Sequence, residues 1–289
     1  MIHRKKNKNG YEYFSNGIQI TNKKKIIIIE GKMKQLRIPP GYIDVILTPE
    51  SKTVIAKCKD VDMRSQYLYH PDFTNKQQKI KYCNLIEFGK KLPKIKKQIN
   101  IDVKNKKNKK KYLIAIMLQV IMACNFRIGN EKYKKKYNSD GISTIGDTNL
   151  KGSEIKFIGK KGVENKCVIH DKQLLKNLNS LKQEKGKHIF TYDGAYISAD
   201  SVNNYLKKFG EFTTKYFRTW AANIEYINGM RLNKNSKELI KEIAIKLNHS
   251  VAICRKNYLY KELVDYSLDH KINPKKSDVF LINFLQERC

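Results

Sequence analysis

Four stretches of this 289-residue chain carry side chains whose types and settings look functional. Arg127 closes a long apolar run in Phe126-Arg127-Ile128-Gly129-Asn130-Glu131-Lys132-Tyr133. A planar guanidinium clamps a phosphate through two parallel hydrogen bonds, which a lysine point charge cannot do. Lys160 sits in Gly159-Lys160-Lys161-Gly162, between two short β patterns. Arg218 lies in Lys215-Tyr216-Phe217-Arg218-Thr219-Trp220, beside the only tryptophan. His249, in Leu247-Asn248-His249-Ser250, precedes Tyr258 by nine residues. A tyrosine oxygen can form a covalent phosphoester, and imidazole or ammonium groups can donate protons or hydrogen bonds to it. Each stretch alone has a plainer reading: a capping arginine, an exposed hairpin lysine, a core helix with one basic edge, a structural His or Tyr. The ordered set is more specific than any member.

The elements that would position these residues follow from periodicity. Residues 26–29, 44–47, 54–59 and 66–69 read as short strands, separated by Pro39-Pro40-Gly41 and Pro49-Glu50-Ser51, which suggests a small antiparallel sheet. After Thr74 the spacing becomes helical, with Ile80, Cys83 and Ile86 three apart. A boundary near residue 76 divides a β-rich domain, 1–76, from a mostly α-helical domain, 77–289. In the second domain 112–126 is apolar enough to be a buried core helix. The lysine run 104–111 before it reads as a solvated loop of a kind suited to a phosphate backbone. Residues 154–158 and 163–169 flank the Lys160 turn as a hairpin. Helical patterns cover 174–181, 201–209, 212–227, 237–247 and 251–264. The fold class is α+β.

Composition narrows the partner. Lys and Arg number 59 against 27 Asp and Glu, a formal net charge of +32, while 40% of the residues are hydrophobic. Such a chain can bury a core, so it is no disordered basic tail, and its surplus charge calls for a polyanion. The longest near-apolar run, 112–124, is shorter than the ~20 residues of a spanning helix. No secretory signal follows the basic N-terminus, and no phosphate-binding loop of the Gly-x-x-x-x-Gly-Lys-Ser/Thr type occurs. The cysteines at 58, 83, 124, 167, 254 and 289 form no close pair and read as reduced thiols of an intracellular protein. Only eight of the basic residues are arginines, as in a protein from an AT-rich genome, which makes each arginine in an apolar setting informative.

Taken in order, Arg…Lys…Lys-x-x-Arg…His-x8-Tyr resembles the active site of type IB DNA topoisomerases, most closely the small enzymes of poxviruses, bacteria and giant DNA viruses. The likeness extends upstream through Arg37-Ile38-Pro39-Pro40-Gly41-Tyr42-Ile43-Asp44-Val45 and Lys59-Asp60-Val61-Asp62-Met63-Arg64-Ser65-Gln66-Tyr67-Leu68-Tyr69-His70, and so covers roughly residues 37–264. It implies a clamp around duplex DNA, a monomer, and relaxation of supercoils through a 3′-phosphotyrosyl intermediate, with no metal, nucleotide or other cofactor. It assigns the nucleophile to Tyr258, the phosphate grip to Arg127 and Arg218, a further hydrogen bond to His249, and protonation of the leaving 5′ oxygen to Lys160, with Lys161 its neighbouring rival. Arg64, Gln66, Tyr67 and Tyr69 resemble the family's groove-contacting stretch, although Tyr67 and Tyr69 could instead face a core. Asn130, Lys132 and Tyr133 match further DNA contacts. Asn130 follows the bacterial rather than the poxvirus form, which puts a poxvirus-like cleavage preference in question. A viral copy would sit in virions or at a cytoplasmic replication site by analogy.

Two other functions fit parts of this pattern. A tyrosine recombinase or integrase shares the helical domain and the His-to-Tyr spacing, but usually has His-x-x-Arg where this chain has Lys215-Tyr216-Phe217-Arg218, and lacks the β domain. A non-catalytic basic DNA-packaging protein would explain the charge and not the Arg127 or Lys160 settings.

Overall fold

The computed structural model describes residues 1–8, 10–182 and 188–289. The chain divides into two compact units, Met1–Lys81 and Tyr82–Cys289.

The first unit is a six-stranded antiparallel sheet with one covering helix. Its elements are β1 (Ile2–Asn7), β2 (Gly10–Ser15), β3 (Ile18–Gln19), α1 (Lys23–Gln35), β4 (Ile43–Leu47), β5 (Val54–Lys59) and β6 (Ser65–Tyr69), with strand order β3-β2-β1-β4-β5-β6. Ile29 and Met33 of α1, four residues apart, pack with Tyr13, Ile38, Val45, Leu47, Ala56 and Cys58. Residues 26–29, expected as a strand, are thus helical. Four consecutive isoleucines carry no period to decide the matter. Asn22 caps the helix by accepting from the Lys25 N–H at 3.1 Å. The sheet also contains β1–β3, where the sequence carries no strong alternation.

The second unit is mostly helical. It begins within α2 (Pro71–Lys104) and continues through α3 (Lys109–Cys124), α4 (Glu131–Tyr137), β7 (Leu150–Lys151), β8 (Glu154–Ile158) and β9 (Glu164–Val168). There follow α5 (Lys172–Ser180), β10 (Thr191–Tyr192), β11 (Ala195–Tyr196), α6 (Ala199–Leu206), α7 (Thr214–Arg231), α8 (Ser236–Lys246), α9 (Val251–Asn257), α10 (Lys261–Asp269) and α11 (Ser277–Gln286). Strands β7-β8-β9 form one antiparallel sheet. The core gathers around α3, whose residues Leu113–Leu118 are all buried. Among the described residues no helix is long and apolar enough to cross a membrane.

Two expectations are corrected here. Residues 251–264 are not one helix, because the chain breaks between α9 and α10 at Tyr258–Tyr260. The cysteines are not all reduced: disulfides join Cys83 to Cys289 and Cys124 to Cys167, whereas Cys58 and Cys254 are free and buried. The partners lie 206 and 43 residues apart, so only the folded chain brings them together.

Candidate active site

Arg127 leaves the core helix through a tightly built corner. Asn125 ends α3 in the left-handed conformation, its N–H bonded to the Ile121 carbonyl at 2.9 Å. The Arg127 and Ile128 carbonyls then accept from Ile142 and Ser143 at 3.0 and 2.7 Å. Gly129 adopts φ +85°, and a Cβ there would come within 2.7 Å of the Gly141 backbone. Only glycine permits this crossing.

Arg218 lies in the second turn of α7 and is 2% exposed. One Nη2 hydrogen satisfies the Leu247 carbonyl at the end of α8, at 2.7 Å. His249 sits in the short corner between α8 and α9, where Asn248 takes φ +53° and Ser250 caps α9. Both arginines reach this ring. Arg127 Nη2 is 3.0 Å from each ring nitrogen, and Arg218 Nη2 is 2.9 Å from Nε2.

Tyr258 completes the group. Its ring is 4.7 Å from the His249 ring and 5.3 Å from the Arg218 guanidinium carbon, and it is 6% exposed. The helix break that sets it there leaves backbone groups in need of partners. Asn223, fully buried on α7, supplies two of them: its Nδ2 donates to the Tyr258 carbonyl at 2.8 Å, and its Oδ1 accepts from the Tyr260 N–H at 2.9 Å. The Tyr82 hydroxyl donates to the Leu259 carbonyl. Asn223 and Tyr82 are positioning residues that the motif reading missed. A buried asparagine inside an apolar helix, five residues after Arg218, was the available signal, since asparagine is a poor helix former.

Lys160 occupies the turn between β8 and β9 and is exposed. Asn165 packs beneath the turn and donates to the Val163 carbonyl at 2.8 Å, against the space a Gly159 Cβ would need. Lys161 takes the left-handed conformation, φ +66°. The charges felt at His249 are those of Arg127, Arg218 and Lys160.

These neighbours set protonation. Burial lowers the His249 pKa to about 3, and the cations of Arg127, Arg218 and Lys160 push the same way, so the ring is neutral at neutral pH. Burial pushes the Arg218 guanidinium down to about 10; Tyr258 opposes this and the Arg127 charge adds to it. Arg218 stays cationic with Tyr258 beside it, and among the described residues its Nε and Nη1 find no partner within hydrogen-bonding geometry. A buried cation with donors left unsatisfied is costly, and an anion would relieve it.

A neutral His249 has testable consequences. A histidine in the unfolded chain protonates near pH ~6.5, whereas the folded site refuses the proton until about pH 3. The unfolded state therefore binds more protons between those values, and stability falls as pH drops through that window. His249→Gln, another neutral donor, should flatten this loss in acid melting curves and keep more activity than His249→Ala. Equal loss of activity in both variants would contradict a neutral donor.

The remaining expected residues are distributed over both units. In the first, Arg64 Nε and Gln66 Nε2 both donate to Asp60 Oδ2, at 2.7 and 2.8 Å. Arg64 also pairs with Asp62 at 2.8 Å. Burial of Asp60 opposes its charge, but these bonds outweigh that and hold its carboxyl below the usual range. Tyr67 and Tyr69 are not core residues: both are exposed, they stack at 6.5 Å, and Tyr69 stacks on Phe73 at 5.4 Å. Lys57 lies over Tyr67 from the neighbouring strand. In the second unit Asn130 caps α4 by accepting from the Lys132 N–H at 2.8 Å. Lys132 and Tyr133 are exposed on α4, Tyr133 stacking on Tyr137.

The helical unit thus gathers the buried Arg218 and the half-buried Arg127 at His249 beside Tyr258, cations placed to hold an anion. Comparison with known proteins names the family. The model of the family described as eukaryotic DNA topoisomerase I, catalytic core, matches residues 70–278. A DNA topoisomerase 1B of Acanthamoeba polyphaga mimivirus is 29% identical over 90% of this chain and 87% of its own length. The DNA topoisomerase 1B of vaccinia virus (strain Copenhagen) is 22% identical over 82% of the chain and 81% of its length. The monkeypox virus DNA topoisomerase I is also 22% identical, over the same shares of the two chains. The chain belongs to the DNA topoisomerase I family and is a type IB topoisomerase, an isomerase that acts on DNA.

Proposed function

We propose that this enzyme relaxes supercoiled DNA by cutting one strand with Tyr258 and resealing it, without ATP or metal. The observation that carries the reading is the buried, half-unpartnered Arg218, which meets Arg127 at His249 beside the Tyr258 ring. A scissile phosphate there would receive hydrogen bonds from both guanidiniums and from His249. Donors fixed in advance favour the extra charge that the non-bridging oxygens carry in the transition state, and removing one typically costs ~10²–10³ in rate.

The bond between the Tyr258 oxygen and phosphorus forms as the bond to the 5′ oxygen breaks. The phenol gives its proton to solvent water, and Lys160 supplies one to the leaving oxygen, to be replaced in turn from solvent. The phosphotyrosine keeps the bond energy, so the freed 5′ hydroxyl reverses the step once the strand has rotated. The arginine and lysine charges do the work that a metal ion does in other phosphoryl-transfer sites.

The exposed Tyr67–Tyr69–Phe73 stack with Lys57 suits contact with one duplex groove, and Lys132 and Tyr133 on α4 suit contact with another part of the same DNA. Arg64 and Gln66 would reach bases from a conformation held by Asp60. We also propose that the enzyme acts as a monomer.

Supercoiled plasmid should relax fully in EDTA with no nucleotide present, passing through intermediates of single linking-number steps. A strict need for magnesium or ATP would overturn this reading.

A further inference from the structure

The hairpin that carries Lys160 is held unevenly by its two strands. β8 is well anchored. Its Ile155 and Phe157 are buried, and the Phe157 ring packs at 4.9 Å on Phe126, the neighbour of Arg127. The Ile158 carbonyl accepts from the Asp140 N–H at 2.8 Å. β9 ends the strand order β7-β8-β9, so β8 is its only neighbour among the described strands. Its Glu164, Lys166 and Val168 are exposed, as is Val163 before it. Asn165 is buried but serves the turn. Cys167 is thus the one apolar side chain that β9 sets against the core.

That side chain is held covalently. The disulfide joins Cys167 to Cys124, the last residue of α3, three residues before Arg127. It ties the outer strand of the Lys160 hairpin to the helix that delivers Arg127. Paired strands move as one piece. Cys167 stands opposite Ile155, and the tip pair is Ile158 with Glu164, about 10 Å away. A tie so near the tip governs where Lys160 can reach. The oxidised fold holds that lysine close enough for its charge to be felt at His249.

We infer that the Cys124–Cys167 disulfide positions Lys160 for proton transfer, so that thiols slow strand cleavage by opening it. The inference rests on the reading of Lys160 as the acid. Proton transfer needs hydrogen-bond reach, and a misplacement of about 1 Å can cost on the order of 10²-fold.

The bond is open to exchange, because Cys167 is only half-buried while Cys124 is 5% exposed. A small thiolate attacks the Cys167 sulfur, breaking the S–S bond and leaving a mixed disulfide with Cys124 as thiolate. A second thiolate attacks the reductant's own sulfur in that mixed disulfide and frees Cys167. Two electrons pass to the protein, both cysteines take up protons, and the reductant leaves as a disulfide. Glutathione disulfide drives the reverse. Cys58 and Cys254 are free and have no such bond to lose.

The test measures single-turnover cleavage by wild type oxidised with glutathione disulfide or reduced with dithiothreitol, excess reagent being removed first. Mass spectrometry counts the bonds in each sample. Normal duplex is compared with duplex whose leaving 5′ oxygen is sulfur. Reduction should slow cleavage of normal DNA about tenfold, part of the ~10²–10⁴ that a general acid contributes. On sulfur DNA the slowing should vanish, since no proton is needed there. A Cys124→Ser, Cys167→Ser variant should cleave normal DNA slowly in both states. A Cys83→Ser, Cys289→Ser variant should stay as redox-sensitive as wild type, which sets the other disulfide aside.

Equal rates before and after reduction would overturn the inference, as would failure of Cys124 and Cys167 to pair on oxidation. Slowing of the same size on both DNAs would assign the bond to the fold around Arg127 and overturn it too. So would redox sensitivity that persists without Cys124 and Cys167. Lys160→Ala separates this inference from the reading beneath it. Sulfur rescue of that variant with no redox effect in wild type would sink the inference alone, whereas absence of rescue would sink the assignment of the acid.

Discussion

Tyr258→Phe should bind duplex DNA as wild type does and form no covalent adduct on it. The change deletes one oxygen from a ring that is held by other means. Asn223 grips the backbone on both sides of Leu259, and the Tyr258 ring packs against His249 and Arg218. Fold and phosphate grip therefore survive while the attacking atom is removed. With no second nucleophile in place, relaxation should fall to a trace. The nearest rival is Tyr260, two residues on. Its ring packs on Tyr82 at 4.5 Å and on Phe284 at 6.2 Å, and burial raises its pKa, with Glu262 adding to the effect. Tyr260→Phe should therefore leave adduct formation intact. Denaturing gels of enzyme trapped on labelled duplex decide between them, and a persisting adduct with Tyr258→Phe would move the nucleophile elsewhere.

Much of the candidate site was legible because its members are chemically unusual where they stand. Arg127 ends an apolar helix, Lys160 sits on a hairpin turn, and the His249-to-Tyr258 interval is short enough for one corner and one brief helix. What could not be read was how the interval is shaped. Helical periodicity runs through 251–264 without a mark at Tyr258. The break exists because Asn223 and Tyr82, 35 and 177 residues from their partners, satisfy the freed backbone groups. Contacts at such separations leave no local pattern. The same holds for the disulfides, and for α1, where tertiary demand for a cover over the sheet decided a run of isoleucines that suits either structure. Strands β1–β3 escaped because most of their side chains are polar or half-buried, so hydrophobic alternation is faint. The interior chemistry of the first unit was hidden too. Asp60 is an ordinary acid in the sequence, yet it orders both Arg64 and Gln66.

The division of labour between lysine and arginines should appear most sharply when the leaving 5′ oxygen is replaced by sulfur. If Lys160 protonates that oxygen, Lys160→Ala should be severely slowed on normal DNA and largely restored on the sulfur substrate. A thiol ionises near pH ~8.5, far more readily than an alcohol, so a thiolate departs without a proton. Arg127→Ala and Arg218→Ala should stay impaired on both substrates, because they act on the non-bridging oxygens, which the sulfur does not replace. The positions of the three residues favour a clean comparison. Lys160 is exposed on a turn whose shape depends on Gly159 and Asn165, so removing its side chain leaves the hairpin standing. Arg218 also holds the Leu247 carbonyl, and its removal weakens that corner of the fold. Each variant is therefore measured against itself on the two DNAs, which cancels differences in folding and affinity. Equal rescue of all three variants would end this assignment of roles. Rescue of Lys161→Ala and not Lys160→Ala would move the acid one residue along the turn, against the left-handed backbone at Lys161 and against the charge that Lys160 exerts on His249.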